Sequence, residues 1–264
     1  LDDPRVRAIG LYLEGIVDIS AFSTAAMRAV KQGVPLVALK AGGTQESAEL
    51  AQSHSGTLAV DNEIWSALFR RFAIVEAGSP KALIEALKLL GSPKPPKGNR
   101  VVAAANSGGY AAMIGEKGRN VGLDFPAPTK AQRNALRQTV PELVSLMNPL
   151  DWNLPWAAMS TPDTSDNGMG LLMDDRCDLL VYFVDWPREL DVADVWWPTL
   201  EGLIQLNNRM DCPVVIASVL PDGLPADLRL RLANAGVVTL QGLDDTLCAI
   251  RAVAQYSILR AQVL

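Results

Sequence analysis

The chain has one histidine, His54, in the run Lys40-Ala41-Gly42-Gly43-Thr44-Gln45-Glu46-Ser47-Ala48-Glu49-Leu50-Ala51-Gln52-Ser53-His54-Ser55-Gly56-Thr57. An imidazole can attack a phosphoryl group and hold it covalently. Ser53, Ser55 and Gly56 are small, so they leave the ring accessible and let a bulky anion approach. Local chemistry alone still favours a plainer reading, a solvent-facing loop histidine. Glu14 closes an apolar run. Its carboxylate could accept a hydrogen from one imidazole nitrogen and leave the other free to attack phosphorus. Taken alone it is more simply an ordinary strand-end carboxylate. In a third group, Asn106-Ser107-Gly108-Gly109, a strand pattern passes directly into a helix pattern. Two glycines permit close backbone approach, and a helix N-terminus presents unpaired N–H groups with partial positive charge, so Ser107, Gly108 and Gly109 could cradle a phosphate. Ala112 stands where the dinucleotide fingerprint requires a third glycine. Such a turn also occurs for packing reasons alone.

These residues need strands and helices to place them. Ala8–Glu14 and Pro35–Leu39 read as strands around a helix near Ser20–Lys31. A helix is expected from Asp61, its carboxylate as cap, with Ile64, Trp65, Leu68, Phe69 and Phe72 at helical spacing. A short strand at Ala73–Glu76 precedes a helix punctuated by Ser79 as N-cap, Pro80 at its first position and Gly91 at its end, with Leu83, Ile84 and Leu87 on one face. Further on, Val101–Ala105, Leu179–Val184 and Val214–Val219 read as strands. Gly108–Gly122, a segment opened by the capping-box spacing of Thr129 to Gln132, Pro225–Ala235 and Asp244–Gln262 read as helices. Asn153–Gly170, rich in Ser, Thr, Pro and Asp, reads as loop. The alternation predicts an α/β fold with mostly parallel sheets covered by helices. Ligands of such sheets bind beyond the carboxyl ends of the strands, where Glu14, the His54 run and the glycine turn all fall.

Ser92-Pro93-Lys94-Pro95-Pro96-Lys97-Gly98 cannot continue a helix. It divides the sequence into residues 1–92, a linker at 93–98 and a second domain at 99–264. The halves rhyme: Pro35-Leu36-Val37 and later Ile74-Val75 echo Pro213-Val214-Val215 and later Val237-Val238. The stretch between these anchors is longer in the first half, and the surplus falls around His54. An elaborated loop on a repeated fold marks the functional addition.

Composition excludes several classes of function. Of 264 residues, 24 are basic and 29 acidic, for a net charge of −5 with no basic stripe, so a nucleic-acid partner is not expected. No apolar run reaches the ~20 residues of a membrane span. Three scattered cysteines, Cys177, Cys212 and Cys248, give neither a disulfide framework nor metal-ligand spacing, and one histidine cannot build a His-rich metal site, so none is expected. A reducing cytoplasm fits. The start, Leu1-Asp2-Asp3-Pro4, lacks the features of a signal peptide and reads as a cut through a longer protein.

Considered together, the motifs resemble the NDP-forming acyl-CoA synthetases, relatives of succinyl-CoA synthetase, and in particular the acetyl-CoA synthetase (ADP-forming) type. Lys40-Ala41-Gly42 through Ser53-His54-Ser55-Gly56 and then Trp65 is similar to that family's phosphohistidine segment. Leu11-Tyr12-Leu13-Glu14-Gly15 resembles the strand carrying the histidine's glutamate partner. Asn106-Ser107-Gly108-Gly109 and Asn148-Pro149-Leu150-Asp151 resemble two further signatures in the same order. The resemblance covers essentially the whole chain and implies two flavodoxin-like, succinyl-CoA synthetase-like ligase domains, the first truncated at its N-terminus. It implies a relay in which acyl-CoA and phosphate give an acyl phosphate, His54 takes the phosphoryl group, and ADP or GDP receives it. Glu14 would orient the ring, while Ser107, Gly108 and Gly109, with Ser55 and Gly56, would bind phosphate. CoA and ATP or ADP with Mg would bind mainly outside this fragment. The implied partners are a carboxylic acid substrate and a CoA-binding domain and an ATP-grasp domain or subunit, in cis or in trans, with a homo-oligomer compatible. The fragment alone would be inactive. The family's CoA-binding domain and the opening strand of the first ligase domain are absent, and serines flank the histidine where the succinyl-CoA branch has other small residues.

Two rivals remain. Ligase-like domains also serve as non-catalytic regulatory modules that sense a small molecule, as in acyltransferase fusions; retention of both His54 and Glu14 favours the enzyme. A flavin carrier is weaker, because no flavin pattern stands out. Asn148 and Asp151 have no assigned role: an Asn-Pro bend explains them as well as substrate contact does. Trp152, Trp156, Trp186, Trp196 and Trp197 fit either a roomy apolar surface or core packing.

Overall fold

The structure is a computed structural model that describes residues 1–41, 62–140, 145–152, 160–187 and 190–264. The chain divides into two compact units, Leu1–Ser92 with Ala252–Leu264, and Pro93–Arg251.

In the first unit, among the described residues, β1 (Ile9–Leu13), β2 (Leu36–Lys40) and β3 (Ile74–Glu76) form a parallel sheet in the order β1-β2-β3. Helix α1 (Ile19–Gln32) starts where the Asp18 side chain accepts from the Ala21 N–H and stops at Gly33, whose φ of 73° only glycine adopts without cost. Its small residues Ala26 and Ala29 let it lie close to the sheet. There they join Leu36, Ala38 and Ile74, and Trp65 and Phe69 of α2 (Asn62–Arg71), in one core cluster. Ile9, Leu11 and Leu13 face that cluster, so Gly10 and Tyr12 face the other way. Helix α3 (Pro80–Leu90) covers the Gly10 side: a Cβ at Gly10 would come within 2.6 Å of Leu87. Ser79 caps α3 by accepting from the Ala82 N–H. Its buried face is Glu85, Ala86, Leu89 and Leu90, one step round from the expected stripe, and Ile84 is exposed. Ile64 of α2 is likewise exposed. Asp61, the expected cap of α2, lies outside the described residues.

Among its described residues the second unit contains a five-stranded, all-parallel sheet in the order β5-β4-β6-β7-β8, built from β4 (Val101–Ala105), β5 (Leu150–Asp151), β6 (Leu179–Phe183), β7 (Val214–Ser218) and β8 (Val238–Gln241). Numbered within the unit this is 2-1-3-4-5, the flavodoxin-like winding, whose direction reverses between β4 and β6. β4, β6 and β7 are buried along their whole lengths, as parallel strands covered on both faces must be. Alternate residues Val102, Ala104, Leu180, Tyr182, Val214 and Ile216 enter one cluster with α5 (Lys130–Thr139), α6 (Pro162–Gly170), α7 (Leu190–Arg209) and α8 (Ala226–Asn234). Helix α4 (Gly108–Asn120) follows β4, and α9 (Leu243–Val263) follows β8. Asp178 ties the starts of β4 and β6 together: it accepts from the Arg100 N–H at 2.9 Å and pairs with its guanidinium at 2.8 Å. A Cβ at Gly98 would come within 2.4 Å of that carboxylate, which fixes the residue type there.

Three features differ from the sequence expectation. Pro162–Gly170 is helical, because Thr161 accepts from the Thr164 N–H and Pro162 fills the first position. The expected linker is fastened to the second unit, where Lys94 Nζ donates to the terminal carbonyls of α7 at Asn207 and Met210, 2.8 and 2.9 Å away. The end of α9, Ala252–Leu264, groups with the first unit rather than the second: Leu259, Tyr256 and Val263 pack with Val30 and Ala73, and Arg260 donates to the Val30 carbonyl.

The repeat is visible in the strand registers. Leu36 pairs with Ile9 and Ile74, and Val214 with Leu180, while the following Val215 pairs with Val238. Thus β1-β2-β3 corresponds to β6-β7-β8, and Ala73 to Gly236. Both adopt positive φ, 48° and 76°, just before the last strand. Nothing lies within 4 Å of a Cβ built on Gly236. Gly236→Ala should therefore cost only the left-handed backbone penalty, about 1–2 kcal/mol. Chemical denaturation would measure it, and an unchanged midpoint would show that the backbone relaxes.

Candidate phosphate site and strand-end carboxylates

Helix α4 begins without side-chain help. Ser107 occupies the N-cap with extended backbone, yet its hydroxyl makes no capping bond. By contrast Asp18, Ser79, Thr129 and Thr161 all cap their helices. The first helical bond runs from the Ala111 N–H to the Ser107 carbonyl at 2.9 Å, so the amides of Gly108, Gly109 and Tyr110 have no intrahelical acceptor. Gly108 and Gly109 are exposed. The result is a short row of N–H donors with no acceptor among the described residues, at the positive end of a helix that directly follows β4, one of the two strands at the winding switch. Its donors and dipole suit an oxyanion.

Asp151 and Asp185 flank the turn. Asp151 ends β5 opposite Ala105. A Cβ on Gly108 would come within 2.9 Å of its Oδ2, so any larger residue there would press on this carboxylate. Burial pushes the Asp151 carboxyl above the usual aspartate value, and its buried Oδ1 has no partner among the described residues. Asp185 lies just beyond β6, and its Oδ1 accepts from the Leu220 N–H at 2.9 Å. Burial first, then the nearby Asp185 carboxylate, raises the Tyr110 phenol above its ordinary value, while the buried Asp185 Oδ2 has no hydrogen-bond partner among the described residues.

Asn148 is structural. Its Oδ1 accepts from the Ala103 N–H at 3.0 Å, and its Nδ2 donates to the Val101 and Pro126 carbonyls at 2.8 and 3.1 Å. A buried amide thus continues the ladder along β4 before β5 begins. The sequence motif had been open between a bend and a substrate contact.

In the first unit, Glu14 follows β1 at the carboxyl end of the sheet. It is exposed and makes no hydrogen bond or ion pair among the described residues. Lys40, at the end of neighbouring β2, is bonded to Asn62 and lies over the Trp65 ring, 5.7 Å from its centroid. His54, Ser55 and Gly56 lie outside the described residues. Of the tryptophans, Trp152 is fully buried, and Trp186, Trp196 and Trp197 pack part-buried against the second core. Core packing therefore accounts for these four; Trp156 lies outside the described residues. The sequence reading missed Asp185 and Tyr110. The signal was present in the repeat, which aligns β1 with β6.

A family model described as succinyl-CoA ligase like flavodoxin domain matches residues 1–90. The match covers most of the first unit and stops before the second. The similarity continues past it. The chain is 29% identical over 257 residues to the alpha subunit of ADP-forming acetate–CoA ligase II of Pyrococcus furiosus, covering 96% of this chain and 54% of that one. It is 26% identical over 151 residues to the ADP-forming acetate–CoA ligase of Methanocaldococcus jannaschii, covering 57% and 21%. It spans about half the length of the first relative and less of the second. A dinucleotide-forming acetyl-coenzyme A synthetase of Candidatus Korarchaeum cryptofilum, solved with phosphate and ADP, superposes with a TM-score of 0.78 at 23% identity, over 99% of this chain and 55% of that one. The α/β fold of the two units is thus one already seen in a solved structure.

Proposed function

We propose that this chain supplies the histidine-bearing and second ligase domains of an acyl-CoA synthetase that interconverts carboxylic acid, CoA and ATP with acyl-CoA, ADP and phosphate. The observation that carries the reading is that similarity to an ADP-forming acetate–CoA ligase subunit runs through both units. The chemistry of the residues agrees with it. The imidazole of His54 attacks the phosphorus of an acyl phosphate; the P–O bond to the acyl group breaks and a carboxylate leaves. ADP then takes the phosphoryl group and the imidazole is restored. Glu14 accepts from the ring's other N–H, which raises the nucleophilicity of the attacking nitrogen and offsets the positive charge on the phosphorylated ring. Among the described residues it has no other partner, as that role requires. The amides of Gly108, Gly109 and Tyr110, with Ser107, hold a phosphate or phosphoryl oxyanion as fixed dipoles.

CoA and the nucleotide, with Mg, bind mainly to a CoA-binding domain and an ATP-grasp domain, fused or on a separate subunit. No helix among the described residues is long and apolar enough to cross a membrane. Cys177, Cys212 and Cys248 are free, which fits a cytoplasmic setting. The test is to incubate the complete synthetase with ATP labelled at the γ-phosphate and map the label. An acid-labile, base-stable phosphate on His54 is the expected result. Label on an aspartate, or none under turnover, would refute the relay.

A further inference from the structure

The repeat shows what covers the second sheet and leaves the first one bare. Strands β1, β2 and β3 correspond to β6, β7 and β8, so Gly10 and Tyr12 stand where Val181 and Phe183 stand. Val75 corresponds to Val238, and equally far along the chain Ile84 of α3 corresponds to Leu247 of α9. The counterparts differ in burial. Val181 and Phe183 are 0% exposed and Leu247 1%, whereas Tyr12 is 63% and Ile84 55% exposed. In the second unit the cover is β4 with the helix that follows it. β4 pairs with β6 in parallel, and α4 lays Gly118 against Leu247, where an added Cβ would stand 3.6 Å from the leucine. Among the described residues the first unit has no counterpart of either element.

The bare edge also carries open backbone groups. The Ile9 N–H donates to the Pro35 carbonyl, and the Leu13 carbonyl accepts from the Ala41 N–H, so Ile9, Leu11 and Leu13 bond to β2. Gly10 and Tyr12 therefore turn their N–H and C=O groups outward, as Val181 and Phe183 turn theirs to β4. Such a row beside apolar side chains is a template for an added strand. We infer that this face docks a strand–turn–helix segment from the part of the synthetase outside these 264 residues. Its strand is apolar and pairs in parallel with β1, and the helix directly after it sets a small residue over Ile84. The Pyrococcus furiosus relative has the length to hold such a segment, since this chain covers 54% of it. A second copy of the chain fits less well. β1 strands related by a two-fold axis would run antiparallel, whereas every strand pair among the described residues is parallel. The source of the segment rests on the reading of the chain as part of a synthetase; the bare edge does not.

Amide hydrogen exchange, measured in the complete synthetase and in the 264-residue chain, tests the inference. The Gly10 and Tyr12 amides should exchange about 10²-fold more slowly in the synthetase than in the chain. Within the synthetase they should be as protected as Val181 and Phe183, a comparison that serves alone should the chain not fold by itself. Ile84→Asp puts a charge under the docked helix and should speed exchange at Gly10 and Tyr12 in the synthetase by about tenfold or more. It should leave the melting midpoint of the chain unchanged, because Ile84 is exposed there. Equal exchange in synthetase and chain would overturn the inference. Slow exchange in the chain that fades on dilution would overturn it too, by putting a second copy on the edge. None of these readouts depends on turnover. Absence of phosphate on His54 would refute the relay and leave the docking face standing. An unprotected edge in a synthetase that labels His54 would refute the docking alone.

Discussion

Glu14→Gln in the complete synthetase should slow phosphoryl transfer to His54 by about 10²-fold or more, the scale of a positioned acid–base group. Glutamine keeps the length and a hydrogen-bond acceptor but removes the charge. Phosphorylation turns a neutral imidazole into a positively charged ring, so the lost stabilisation falls on the transition state rather than on binding. CoA affinity should stay near wild type. Glu14 is exposed and unpaired among the described residues, so the change should also leave stability within about 0.5 kcal/mol. Rapid-quench measurement of phosphoenzyme formation decides the matter. Equal rates would remove Glu14 from the mechanism, and a rate loss accompanied by unfolding would assign it a structural part.

Asn148→Leu should have the reverse profile, a large loss of stability with no direct chemical effect. Leucine keeps the branching at Cγ, though it is bulkier than asparagine, and it cannot bond the Ala103 N–H or the Val101 carbonyl, both on a fully buried strand. Each buried main-chain group left unpaired costs about 1–3 kcal/mol, so the pair should cost about 2–6 kcal/mol. That is a large share of the ~5–15 kcal/mol that holds a domain together. Equilibrium denaturation of the chain, monitored by tryptophan fluorescence, would report it. A loss below about 1 kcal/mol would show that water or a backbone shift replaces the amide.

Much of this architecture was legible in the sequence because local signals agreed with the global pattern. Ser79-Pro80 and Gly91 bracket a helix on chemistry alone, and the capping box at Thr129 and Gln132 is formed at both ends. The buried strands were readable as unbroken apolar runs. Helix Pro162–Gly170 was hidden because its composition is that of a loop, and only the cap at Thr161 distinguishes it. β5 was hidden because its two residues are too few to show a period, and the side chain of Asn148 does part of its pairing. In the site, the glycine turn announced itself by residue type. Tyr110 and Asp185 did not, since their meeting depends on two strands that are neighbours in space and distant in sequence.

One helix sets the order in which this protein can be completed. The last stretch of α9, Ala252–Leu264, closes the apolar patch formed by Val30 and Ala73 of the first unit. A ribosome releases residues 1–92 long before it releases that stretch. During the interval the whole second unit has time to fold, while the first waits with Val30 and Ala73 uncovered. The earlier-made unit is thus the later-finished one. Until synthesis reaches the closing turns, Val30 and Ala73 lack the cover of Leu259, Tyr256 and Val263.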